Sequence, residues 1–96
     1  MELVIFARFH AREGRERALA VALRDQAARV RTEPGRLPIG VFEAVGNPRL
    51  FWIHSRWVDE AGFQVHADLP NTRRFIERVE ELIDDPFDAT RARALE

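Results

Sequence analysis

The sequence predicts an α+β sandwich, a four-stranded antiparallel sheet with helices packed on one face. Short apolar runs rich in β-branched and aromatic residues alternate with stretches whose apolar residues recur at three- and four-residue steps. The two central runs are separated only by Gly46-Asn47-Pro48-Arg49, which reads as a hairpin. The resulting order, strand-helix-strand-strand-helix-helix-strand, suits helices segregated to one side of an antiparallel sheet.

Residues 3–9 make the first strand. Leu3, Ile5, Ala7 and Phe9 share one face and Val4, Phe6, Arg8 and His10 the other; both are largely apolar, which calls for a sheet covered on both sides. Gly14 opens a helix to about residue 31, with Leu19, Ala22, Leu23, Ala27 and Val30 as one apolar stripe and Arg17, Arg24, Asp25 and Arg31 off it. Glu33-Pro34-Gly35 is a stop-and-turn, because proline cannot continue the helix and glycine permits the reversal. Residues 37–45 and 50–57 pair as the hairpin strands. Asp59 is a good N-cap for a short helix that holds Phe63 and ends near His66. Pro70 suits the first turn of a further helix, whose buried stripe is Phe75, Ile76, Val79, Leu82 and Ile83 and which Asp84-Asp85-Pro86 ends. Residues 87–94 form a last strand, which Arg91 and Arg93 place at an edge.

No linker, internal repeat or low-complexity segment interrupts the 96 residues, so one domain over 1–96 is expected. A domain of this size buries only about 60–65% of the surface its unfolded chain exposes. With helices on one face only, Val4, Phe6, Phe42 and either Trp52 or Trp57 would leave a large apolar patch on the other. Two copies pairing sheet to sheet about a two-fold axis cover it, so a homodimer is expected.

Composition excludes several kinds of chemistry. The net charge of −1 gives no attraction to nucleic acid or anionic membrane, and neither is an expected partner. All 15 basic residues are arginine, which rules out a side-chain Schiff base. The absence of cysteine rules out disulfides, thiolate nucleophiles and thiolate metal sites, and the absence of tyrosine removes a common proton donor. The segment from Met1 to Phe6 lacks the basic region of a secretory signal, and no apolar stretch approaches the roughly 20 residues that span a bilayer. A soluble cytoplasmic protein is the expectation.

Histidines are the only side chains here that titrate near neutrality. His10 reads as a surface or cap residue, and His54, alternating with Trp52 and Arg56, as a hydrogen-bonded structural residue. His66 ends a short helix just before the break at Ala67-Asp68-Leu69-Pro70, where a cleft can open over a sheet. It is equally suited to capping the last carbonyls of that helix, and the two readings stand side by side. No two histidines and a carboxylate share the short spacing of a metal triad, so no metal is expected. Ser55 lacks a glycine-rich elbow, and the glycines make neither a dinucleotide fingerprint nor a phosphate loop. The aromatic residues are mostly core, with Phe63 and Phe75 flanking His66 as the wall of a flat pocket.

Glu33-Pro34-Gly35, the hairpin, Trp57 followed by Asp59, Phe63 with His66 three residues on, and Phe75 together resemble the antibiotic biosynthesis monooxygenase family. The outline covers the chain from the first strand to about Ile83. The resemblance implies a ferredoxin-like fold and a dimeric α/β barrel. It also implies a cofactor-independent monooxygenase, with O₂ and a small aromatic phenol or quinol as its partners. His66 would be the catalytic base or the hydrogen-bond partner of a phenolate, with Ala7, Arg56, Phe63, Asn71 and Phe75 binding substrate. Ser55 stands where relatives often carry glutamate, and Ile39 where they carry tyrosine. Haem-degrading relatives use asparagine, tryptophan and histidine where Ala7, His66 and Ile76 or Glu77 stand here, so haem degradation is not expected. The rival readings are a non-catalytic ligand-binding or stress-response dimer of the same fold, and an oxygen-independent isomerase.

Overall fold

The computed structural model describes residues 1–34 and 36–96, apart from the side chains of Arg36 and Leu37. Elements follow in the expected order: β1 (Leu3–His10), α1 (Glu16–Val30), β2 (Arg36–Ala44), β3 (Asn47–Trp57), α2 (Glu60–Asp68), α3 (Pro70–Glu80) and β4 (Asp88–Ala92). The strands make one antiparallel sheet in the order β2-β3-β1-β4, the ferredoxin-like arrangement. At its centre β1 pairs with β3, from Leu3 opposite Trp57 to His10 opposite Leu50.

The strand period of two sorts the side chains. Leu3, Ile5, Ala7 and Phe9 of β1 and Phe51, Ile53, Ser55 and Trp57 of β3 are buried beneath the helices. The α1 stripe of Leu19, Ala22, Leu23, Ala27 and Val30 is buried as predicted, and Gln26 is buried with it. On the opposite face Phe6 and Phe42 remain 46% and 53% exposed. Of the two tryptophans, Trp52 belongs to this bare face and Trp57 to the core. Phe6 stacks on His54 across the β1–β3 pair at 5.0 Å. The Phe42 ring lies so close over Gly40 that a Cβ there would stand 2.8 Å from its Cζ. Gly40 is therefore what lets that ring lie flat along β2.

Several boundaries differ from the sequence expectation. Helix α1 starts at Glu16 rather than Gly14, because Gly14 takes φ +84°, a left-handed turn that a helix cannot include. The hairpin is tighter than expected: Val45 and Gly46 alone connect the strands, Gly46 taking φ +88°, and Asn47 already pairs with Ala44. Pro48 is accommodated beside the register shift at Glu43 and Ala44, and Pro38 in the edge strand β2 beside the shift between Arg36 and Ile39. Helix α3 stops at Glu80, four residues before Asp84. Leu82 and Ile83 leave it to close onto β1, with Arg12 N–H donating to Leu82 O and Ala11 bridging Ile83. The last strand is shorter than expected, Asp88–Ala92, and lies at an edge as predicted. The expected reversal at Gly35 lies outside the described residues. Among the described residues no helix is long and apolar enough to cross a membrane.

Leu23 is fully buried in the larger core cluster, whereas Val21 on the same helix is 43% exposed. Leu23→Ala is therefore expected to lower unfolding free energy by about 2–5 kcal/mol and Val21→Ala by less than about 0.5 kcal/mol, read from urea midpoints.

Candidate functional site

A cavity of about 270 Å³ lies between the helix-facing side of the sheet and the helices. Ile5, Ala7 and Phe9 of β1 and Ile53, Ser55 and Trp57 of β3 form its floor, while Phe63, His66, Thr72 and Phe75 come down from α2 and α3. Ala89 and Arg91 of β4 close one side. Among the described residues the buried polar side chains are Gln26, Ser55, His66 and Thr72, and all four line this cavity. A buried polar group is costly unless it is hydrogen-bonded, so their convergence marks the site.

Local sequence explains how each arrives. The Asp59 carboxylate accepts from Gly62 N–H at 2.8 Å and starts α2 as predicted. Two turns later His66 faces the sheet. Leu69 then turns extended, its N–H donating to His66 O, so Pro70 can begin α3. The His66 ring stacks on Trp57 at 4.6 Å and lies 5.8 Å from Phe63. Its Nδ1 is 2.9 Å from Glu33 Oε1 and 3.4 Å from Thr72 Oγ1. Of the two readings of His66, the ring lines the cavity and bonds Glu33; it does not cap the α2 carbonyls.

The other buried polar groups are also paired. Ser55 Oγ accepts from the Trp57 indole N–H at 3.1 Å, and Gln26 Oε1 accepts from Arg29 at 2.7 Å. Arg91 lays its guanidinium 5.2 Å over the Phe63 ring and has no acidic partner among the described residues.

Ala7, Phe63, His66 and Phe75 are thus brought together, and Arg56 and Asn71 are not. Arg56 alternates with Ser55 and Trp57, so it projects from the other face of β3, where it pairs with Glu2 at 2.5 Å. Asn71 is exposed on α3 and accepts from Arg74. One residue of helix turns the chain by about 100°, so it is the next residue, Thr72, that faces inward. Gln26, Thr72, Glu33 and Arg91 escaped the sequence reading. Gln26 and Thr72 were legible in principle, each completing an apolar stripe at helical spacing.

The His54 ring stacks on Phe6 and makes no side-chain hydrogen bond among the described residues, which corrects its expected role. His10 caps a surface clasp. Its Nδ1 is 2.6 Å from one Asp84 oxygen, and Arg49 donates to the other at 2.6 Å. With Asp85 these make the one group of possible metal ligands among the described residues, but Arg49 already supplies a cation to Asp84.

Residues 3–78 match the model of the family described as antibiotic biosynthesis monooxygenase. The chain belongs to that family. YcnE of Bacillus subtilis, provisionally named a monooxygenase, is 31% identical over 61 residues, a match covering 64% of each protein. Rv0793 of Mycobacterium tuberculosis has the same fold with a TM-score of 0.92 at 21% identity, covering 100% of this chain and 97% of that one. SnoaB of Streptomyces nogalater, titled a cofactor-independent oxygenase, superposes with a TM-score of 0.89 at 15% identity, covering 99% and 94%. Both departures from the family outline, Ser55 and Ile39, lie on the cavity wall.

The His10 hydrogen bond, aided by the His10 and Arg49 charges and opposed by desolvation, holds the Asp84 carboxyl below its ordinary value of 3.8. A depressed folded-state pKa means the unfolded chain binds more protons. The clasp's contribution is therefore present above pH 3.8 and lost as pH falls through the lower folded value. Asp84→Asn is expected to be less stable than the parent near neutrality and to show a shallower acid limb, so that urea midpoints of the two proteins converge at low pH.

Proposed function

We propose that this protein is a homodimeric, cofactor-independent monooxygenase that oxidises a small aromatic phenol or quinol with O₂. The observation that carries the reading is His66. Among the cavity-lining side chains it is the imidazole, the side chain most often used as a general base, and the wall around it is mostly apolar. At about 270 Å³ the cavity is near the lower end for ligand pockets, which suits a few fused rings. Arg91, held over Phe63, is placed to attract an anionic oxygen at the β4 side.

The chemistry asks little of the protein. His66 accepts the phenolic proton, and the electron-rich phenolate passes one electron to O₂. Superoxide and the phenoxyl radical couple at an electron-rich carbon to give a hydroperoxide, which loses water to leave a carbonyl. For an anthrone-like substrate the net change is CH₂ + O₂ → C=O + H₂O, so no external reductant is consumed. A water-poor cavity protects the radical pair and orients it.

The test is O₂ consumption with naphthoquinols and anthrone-like phenols, with no cofactor or metal added. Uptake is expected above the uncatalysed rate and about 10²- to 10⁴-fold lower in His66→Ala. Binding seen by Trp57 quenching with no uptake from any substrate identifies a ligand-binding dimer instead, and turnover under argon identifies an isomerase.

The dimer rests on the bare sheet face, where Phe6, Phe42, Trp52 and His54 form one apolar surface. Phe42→Arg sets a charge on its β2 side and is expected to give a monomer by sedimentation, where the parent sediments as a dimer. A monomeric parent sinks this part of the reading.

A further inference from the structure

We propose that Glu33 is the positioning residue for His66: its carboxylate fixes the ring with the proton on Nδ1 and presents the bare Nε2 to the cavity. This deepens the reading of His66 as proton acceptor and rests on it.

Hydrogen-bond polarity makes the argument. A carboxylate only accepts, so an Nδ1 lying 2.9 Å from Glu33 Oε1 must be the protonated nitrogen. Thr72 Oγ1, 3.4 Å from the same nitrogen, can give or take and so does not set the tautomer. Nε2 has no hydrogen-bond partner among the described residues. It is also not sealed, since the one fully buried, unpartnered side-chain nitrogen or oxygen among them is Arg29 Nε. The ring lines the cavity, and the open nitrogen is the one Glu33 does not hold. An unrestrained histidine prefers the opposite tautomer, with the proton on Nε2. A base acting through Nε2 therefore needs a partner that reverses this preference.

The pair is built to hold its geometry. Glu33 follows the last turn of α1, its N–H donating to Val30 O at 3.0 Å, while Thr32 Oγ1 donates to Arg29 O at 2.7 Å. The two side chains are 16% and 11% exposed, so water and salt screen their interaction less than that of a surface pair. Trp57 against one face of the imidazole fixes its plane, and Glu33 fixes its rotation. When Nε2 takes a substrate proton, the imidazolium forms beside a carboxylate that already neutralises it. The nascent phenolate then faces a paired cation rather than an isolated one.

Two-bond nitrogen–proton NMR correlations of the histidine rings read the tautomer directly and need no turnover. At about neutral pH the parent is expected to show His66 protonated on Nδ1 and bare at Nε2, and Glu33→Ala to move the proton to Nε2. Glu33→Gln keeps the shape and an accepting oxygen, and is expected to retain the Nδ1–H form in part. With a substrate in hand, Glu33→Ala should lower kcat on the order of a hundredfold with KM little changed. An Nε2–H or doubly protonated ring in the parent overturns the proposal, as does a tautomer unchanged in a folded Glu33→Ala. Should that variant not fold, the parent spectrum alone decides. The Nδ1–H form with no O₂ uptake leaves Glu33 as the positioning residue and removes the monooxygenase reading. Uptake with the other tautomer does the reverse.

Discussion

Because β1 and β3 lie side by side at the centre of a sheet that helices cover on one side, the two-residue period of these strands governs almost everything else. It puts Ile5, Ala7, Phe9, Ile53, Ser55 and Trp57 under the helices as a cavity floor. By the same alternation it puts Phe6, Trp52, His54 and Arg56 on the bare face. A slip of one residue would exchange the two sets, moving Ser55 and Trp57 away from His66 and bringing Arg56 to it. Register here is fixed by what must be buried. Trp57, 1% exposed, is the largest fully buried side chain among the described residues.

Most of the cavity's buried polar groups are paired within the protein before any ligand arrives. Ser55 is used by Trp57, Gln26 by Arg29, and the Nδ1 of His66 by Glu33. An unpaired buried donor or acceptor costs about 1–3 kcal/mol, so this internal pairing is what makes a polar lining compatible with a stable core. It also narrows what the wall offers. Most of the wall is apolar, and the polar groups left on it without a hydrogen-bond partner among the described residues include His66 Nε2 and the Arg91 guanidinium. Neither Ser55 nor Ile39 brings an ionisable group to the wall.

Periodicity and capping are local, and what they govern was legible. The α1 stripe, the Asp59 cap, the Pro70 start of α3 and the alternation of β1 follow from near neighbours in sequence, and the structure keeps each. Boundaries were less legible, because tertiary contacts decide them. Helix α3 ends early so that Leu82 and Ile83 can close onto Ala11 and Arg12, a partner far away in the chain. In the site, Ala7, Phe63 and Phe75 line the cavity, whereas Arg56 and Asn71 do not. One neighbour's difference in a strand or helix reverses or rotates a side chain away. Glu33 shows the opposite limit. It reads as part of a stop-and-turn, and only the packing of α1 and α2 against α3 brings it to a histidine 33 residues later.

The side of the cavity formed by β4 differs from the rest in how it is held. Four of its five residues are exposed, so it contributes almost no buried apolar area of its own. What fixes it is the ladder to β1, from Val4 opposite Ala92 to Arg8 opposite Asp88, and two ring contacts. Phe87 stacks on Phe9 at 5.6 Å just before the strand begins, and Arg91 lies over Phe63 within it. Local stability follows buried contact, so this wall opens at lower free energy than the floor of β1 and β3. The two contacts that restrain it are made to Phe9 and Phe63, both cavity-lining rings. A ligand packed against those rings would touch the same groups that hold β4 in place.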